Sequence, residues 1–165
     1  MKSHNQKIID IILFILDRIK DEKLTWVLTE SANLLIQDID VNANDIDILI
    51  TKKDAYRFYN LFKEFGLKEI EYSATDKFRS FFSKLIINEI SIEIITRLEY
   101  KSPDNVWRKS TLLKKRKLIE YNSYIIPVNP LENEIAFYQL MKRKKDFHKI
   151  ELIKKALENM NNSDK

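Results

Sequence analysis

The 165-residue chain contains no cysteine, one glycine, three prolines and two histidines. Without cysteine, disulfides and thiolate zinc sites are excluded. The two histidines, His4 and His148, lie near opposite ends, which speaks against a histidine-based metal centre. Any metal would be held by oxygens, and oxygen donors favour magnesium or manganese. No apolar run approaches the roughly 20 residues of a membrane span. The most apolar segment, KIIDIILFILDRIKDEK, is interrupted by Asp10, Asp17 and Arg18. Ile8, Ile12, Ile15 and Ile19 recur there at helical spacing, so it reads as a packed helix, and the protein is expected to be cytoplasmic.

What is present suits one soluble globular domain: 44% of residues are hydrophobic and 33% charged. The expected division is a core over about residues 1–128 and a helical segment over about 129–162. The net charge of +4 is unevenly spread, with compact basic clusters at Lys114-Lys115-Arg116-Lys117 and Lys142-Arg143-Lys144-Lys145. Such clusters are either solvated surface or attractors of polyanions, nucleotide phosphates and nucleic acid among them.

Periodicity predicts an α/β or α+β chain, a mixed β-sheet flanked by helices. LTWVLT (24–29) reads as a buried strand, and 31–37 as a short helix. DIDVNAN (38–44) reads as a loop, and 45–50 as a strand alternating isoleucine with Asp45, Asp47 and Leu49. A helix over 54–65 with Tyr56, Tyr59, Phe62 and Phe65 inward stops at Gly66, the chain's only glycine. Strands follow at 67–73, 78–87 and 90–96, the last two joined at Asn88-Glu89, and a hairpin over 118–128 turns at Asn122-Ser123. Asn129-Pro130 signals a helix start, with helices over 130–143 and 145–160. Trp26 is expected in the core, Trp107 in a polar loop, His148 on the surface, and Asp146 paired with the adjoining basic cluster.

The triplet Asp-Ile-Asp occurs twice, at 38–40 and 45–47. In a strand, such spacing puts both carboxylates on one face. The second copy opens an apolar strand and so has the rigid placement that a metal site needs. The first lies in turn-forming sequence, where aspartate serves as cap or loop residue. A third acid, Glu93, stands inside the apolar strand ISIEIIT. It is either salt-bridged, or on a solvated face, or beside Asp45 and Asp47. In the last case three convergent carboxylates call for divalent cations.

A strand ending in a turn with Ser31, thirteen residues, then Asp45-Ile46-Asp47 and later Glu93 resembles the polymerase-β-type nucleotidyltransferase superfamily. Within it the chain is similar to small single-domain prokaryotic nucleotidyltransferases, relatives of the minimal nucleotidyltransferases of toxin–antitoxin pairs. TWVLTES, NDIDILI, SIEII, IIPVNPLENEIAFYQL and RKKD carry the likeness. The resemblance implies Mg2+ or Mn2+ held by Asp45, Asp47 and Glu93. The same acids would be the catalytic set, with Glu93 able to accept the proton of an attacking hydroxyl. It implies nucleotide binding by Thr29, Ser31, Arg143 and Lys144, with an NTP as substrate. The reaction implied is transfer of a nucleoside monophosphate to a hydroxyl on a small molecule, RNA or protein.

Relatives carry glycine before the serine, where this chain has Glu30, and tend to have glycine where Asp38 and Lys142 stand. Glutamate adds bulk and negative charge beside a polyanionic ligand. Two readings follow. One is an active nucleotidyltransferase. The other is a catalytically degraded relative acting as a binding or antitoxin-like module for a helical partner protein. A homo-oligomer is compatible with either.

Overall fold

The computed structural model describes residues 3–164. They form eight strands in the order β3-β4-β5-β2-β1-β8-β7, with β6 paired to β5. Helix α1 (His4–Ile19) starts where Ser3 accepts a hydrogen bond from the Gln6 amide. It buries Ile8, Ile11, Ile12, Ile15, Leu16 and Ile19, one apolar stripe of a 3.6-residue period. Strand β1 (Trp26–Thr29) leads directly into α2 (Glu30–Ile36), and β2 spans Asp45–Ile50. Strands β1 and β2 pair antiparallel, which the long loop between them permits, whereas β2 pairs parallel with β5 (Ile90–Lys101).

Helix α3 (Lys52–Leu61) and a 3-10 turn (Lys63–Phe65) end at Gly66, whose left-handed φ of 68° closes the helix. The inward stripe is Ala55, Phe58, Tyr59 and Phe62, all buried. Tyr56 does not belong to it and is 53% exposed, because one residue turns the side chain about 100° around the axis.

Strand β3 (Glu71–Ala74) is shorter than the pattern predicts, and β4 (Phe78–Ile87) joins β5 through Asn88-Glu89, both with positive φ. Strand β5 runs on to Lys101, well past Thr96, and pairs there with β6 (Trp107–Lys109), so Trp107 lies in an edge strand and not a loop. After α4 (Leu112–Lys115) come β7 (Lys117–Tyr121) and β8 (Tyr124–Val128), joined by Asn122-Ser123 in left-handed conformation. Such turns match the twist of a two-residue hairpin.

Helix α5 (Leu131–Met141) begins one residue later than expected: Pro130 is the N-cap. Asn129 does not cap it, and its carbonyl instead accepts from Asn33 and Gln37. A 3-10 turn (Lys144–Asp146) leads into α6 (Phe147–Ser163).

Packing follows from alternation. Ile46, Ile48 and Ile50 of β2 and Ile92 and Ile94 of β5 face α1 and α3 and are no more than 1% exposed. Burying one such side chain contributes about 1.5–3 kcal/mol. A second, smaller cluster joins Leu34, Ile39 and Val41 to Leu131, Tyr138, Ile150 and Ile153, seating α5 and α6. No helix is long and apolar enough to cross a membrane among the described residues.

Candidate active site

Because Ile46 and Ile48 point into the core, Asp45, Asp47 and Leu49 point to the opposite face of the sheet. Glu93 does the same on β5, between the buried Ile92 and Ile94. The strand register then brings the acids together. Asp47 pairs with Glu93 across β2 and β5, and Asp45 with Ser91. Neighbouring strands lie about 4.8 Å apart, so Asp47 and Glu93 are side by side. The row continues to both flanks: Thr29 of β1 pairs with Asp47, and Lys84 of β4 with Glu93. The Lys84 ammonium is 3.8 Å from a Glu93 carboxylate oxygen.

The acids of this row repel one another. Asp47 is 4% exposed, and no cation forms an ion pair with it among the described residues. Burial, then the charges of Glu30, Asp45 and Glu93, hold its carboxyl well above the usual aspartate range. Burial and the Glu93 charge also raise Asp45, against the opposing pull of Lys145, Lys149 and Lys84. As they stand, the described acids do not close into a set of three that could hold a metal ion, and Glu93 rests on Lys84. Their chemistry nonetheless fits a hard cation: all three donors are carboxylate oxygens, and two are acids destabilised by one another's charge.

Above the row lies the strand-to-helix turn. Glu30 has φ 59°, the left-handed conformation that glycine adopts without penalty. Asp38 (φ 63°) and Lys142 (φ 53°) share it. All three positions where the resemblance expects glycine are therefore left-handed in this chain. The Glu30 amide donates to Glu134 of α5 at 2.8 Å, and the same carboxylate oxygen accepts from Asn33 at 2.9 Å. Burial pushes Glu134 up to about 7. Ser31, 9% exposed, follows in the first turn of α2.

The far wall is cationic. Arg143 donates to the fully buried Asp146 at 2.5 Å and reaches Glu30 at 3.5 Å. Lys149 pairs with the same Asp146 at 3.3 Å. The pairing expected of Asp146 with the basic cluster is thus present, and it extends one helical turn further. Between the walls is a cleft of about 360 Å3, polar at Thr29, Glu30, Glu93 and Arg143 and apolar at Ile95 and Phe137. Asn129 also lines it, and its side-chain oxygen is buried without a hydrogen-bond donor.

Of the residues expected at the site, Thr29, Ser31, Asp45, Asp47, Glu93 and Arg143 come together on this face or its rim. Lys144 lies exposed in the 3-10 turn, and the lysine charges that act on Asp45 are Lys84, Lys145 and Lys149. Asp38 and Asp40 are exposed in the loop, as their sequence suggests. Glu134, Asn129, Lys84 and Lys149 are the additions. Glu134 carries no signal of its own in the sequence, being one acid of a helical segment that burial alone sets apart.

A family model described as aminoglycoside-2''-adenylyltransferase matches residues 11–153. A candidate nucleotidyltransferase from Thermotoga maritima, TM1012, is similar at 32% identity and TM-score 0.75, covering 93% of this chain and 94% of that one. The fold is shared with ANT(2'')-Ia in complex with adenylyl-2''-tobramycin, at 12% identity and TM-score 0.59, over 92% of this chain and 90% of that one. It is shared again with the antibiotic-resistance factor ANT(2'')-Ia in solution, at 12% identity and TM-score 0.58, over 94% and 86% of the two chains. No curated protein sequence matches. With most of its length matched by the family model and nearly all of it by TM1012, the chain belongs to the aminoglycoside-2''-adenylyltransferase family of nucleotidyltransferases.

Proposed function

We propose that the chain transfers a nucleoside monophosphate from an NTP to the hydroxyl of an acceptor. The observation that carries this reading is the register pairing of Asp47 with Glu93, with Asp45 on the same face and Arg143 across the cleft. In this reading Asp45, Asp47 and Glu93 would hold Mg2+ or Mn2+, Glu93 turning from Lys84 to do so. Bound there, the cation would neutralise charge on the triphosphate and on the departing pyrophosphate. Arg143, Lys145 and Lys149 balance the remaining phosphate charge, and the Ser31 hydroxyl donates to a phosphate oxygen. The Asn129 side-chain oxygen, lacking a donor, suits a ribose hydroxyl. The acceptor oxygen bonds to the α-phosphorus, the bond from that phosphorus to the bridging oxygen of the β-phosphate breaks, and pyrophosphate leaves. The hydroxyl proton passes to Glu93. Positioning and charge neutralisation supply the acceleration.

The degraded-module reading has one observation behind it, the Glu30 carboxylate sitting on Arg143. All three acids remain in register, which binding alone does not need, and this weighs toward the enzyme. The experiment is pyrophosphate release with ATP, GTP, CTP or UTP, with Mg2+ or Mn2+, in the parent and in Asp45→Asn/Asp47→Asn. Release by the parent alone supports transfer. Equal background from both proteins, together with unaltered nucleotide binding, would sink it.

A further inference from the structure

A larger cavity, about 570 Å3, adjoins the cleft and shares Leu49, Ser80 and Leu98 with it. Its chemistry is different. Lys52, Arg79, Arg97 and Lys109 line it, against a single acid, Glu99. Glu99 is taken by Arg79. Among the described residues Lys52, Arg97 and Lys109 form no ion pair. Three unneutralised cations around one concavity focus a positive field that a bound anion would relieve.

Backbone geometry points the same way. Phe81 pairs with Thr96 but Arg79 with Glu99, so β5 carries an extra residue at this point, a β-bulge. Inside it Arg97 adopts φ 52°, a strained conformation for any residue but glycine. Bulges of this kind re-aim a side chain. Here the re-aimed group is the guanidinium, which lies 5.2 Å over the Phe81 ring at the cavity wall. A long cationic residue holds a position where glycine would relax the chain.

We propose that this cavity binds a phosphate group of the acceptor, so that the acceptor is a hydroxyl-bearing organic phosphate and not a polycation. The proposal rests on the nucleotidyl-transfer reading of the neighbouring cleft. An aminoglycoside such as tobramycin, being a polyamine, would meet like charge at Lys52, Arg97 and Lys109.

The test is an amide-resolved NMR titration of the full chain with ribose 5-phosphate, the cleft being filled beforehand with Mg2+ and a non-hydrolysable ATP analogue. Shifts are expected to centre on Arg97, Lys109 and Ser110. Arg97→Gly should raise the melting temperature by relieving the bulge, yet weaken ribose 5-phosphate at least tenfold, with analogue affinity within twofold of the parent. A structural arginine would not separate these readouts. Tobramycin should not displace the phosphate. Unchanged affinity in Arg97→Gly, shifts confined to Ser31 and Arg143, or displacement by tobramycin would overturn the proposal. Failure of the analogue to bind the parent would count against nucleotidyl transfer, while the phosphate titration still reads the cavity by itself. A 5'-phosphorylated RNA trinucleotide in parallel names the source: whichever probe binds more tightly through Arg97 presents the natural phosphate.

Discussion

Asp47 and Glu93 are direct register partners on adjacent parallel strands, and their carboxylates face the same side of the sheet. Like charges held this close by backbone hydrogen bonding cannot move apart by strand slippage, since a one-residue slip of either strand would turn that strand's acid into the core and its isoleucines out of it. The strain of the pairing is therefore electrostatic and is relieved by protons, lysine or metal.

That relief has a pH signature. Asp47 has a folded pKa above its unfolded one, so the native state binds the proton more tightly. Its contribution to stability is full below the unfolded value of about 4 and is lost as pH rises through the folded value. The metal-free protein should thus melt at lower temperature at pH 7 than at pH 5, and Asp47→Asn should flatten the slope. Millimolar Mg2+ should restore the parent at pH 7 and leave the variant unchanged. Thermal melts across pH, with and without Mg2+, read both effects; a parent insensitive to Mg2+ would count against the carboxylate site.

Glu134 adds a second slope of the same sign. With its carboxyl pushed up to about 7, stability falls between the ordinary glutamate value and neutrality. Glu134→Gln keeps an acceptor for the Glu30 amide and Asn33 but does not titrate. Its melting temperature should vary less over pH 5–7.5 than the parent's, and an identical profile would place the titration elsewhere.

Glu30 joins two effects that substitution separates. Its carboxylate engages Arg143 and its backbone is left-handed. Glu30→Gln frees the guanidinium, and unit charges about 4 Å apart interact by on the order of 1–4 kcal/mol near a protein surface. About tenfold tighter NTP binding is expected by calorimetry. Glu30→Gly should add about 1 kcal/mol of stability by removing the strained side chain. Gain with glycine alone would implicate sterics.

Asp38 supplies the control. Asp38→Gly removes the same kind of strain in an exposed loop, so about 1 kcal/mol of stabilisation is expected with no change in nucleotide affinity beyond threefold. Asp40→Ala should be similarly silent for binding. A tenfold loss in either would move the metal site to the first triplet.

Asp146 has no exposed surface and holds both Arg143 and Lys149. Asp146→Ala leaves two cations without their partner, a change that costs about 3 kcal/mol or more, or roughly 10 °C in melting temperature at this size. Lys149→Met should be milder. Calorimetric ATP affinity in both variants, measured well below their melting points, would show whether Arg143 still reaches the cleft.

The sheet was legible wherever one face is buried. Isoleucine alternation marks β2 and β5, and two-residue polar turns mark both hairpins, because those patterns are enforced by core and turn geometry. Trp107 escaped because a three-residue edge strand has too few positions to show a period. Tyr56 was misplaced because a helix over 54–65 smears a stripe that α3, starting at Lys52, presents one position earlier. With Asn88-Glu89 as a two-residue turn, counting back from Ile87 and Ile90 sets Lys84 opposite Glu93; what counting does not show is that the two side chains meet as an ion pair. Asp146 and Glu134 look like ordinary surface acids of helical segments, and only the docking of α5 and α6 buries them.

The two hydrophobic clusters divide the molecule along the cleft. Asp45, Asp47 and Glu93 are anchored by strands of the larger one, whereas α5 and α6, which flank Arg143 and Asp146, are seated by the smaller. A ligand gripped by both halves would act as a bolt between them, adding its binding free energy to whatever holds the smaller cluster shut. Amide exchange in α5 and α6 would then slow on nucleotide binding more than exchange in the central strands. Loss of the small cluster would disarm the site while leaving the sheet intact.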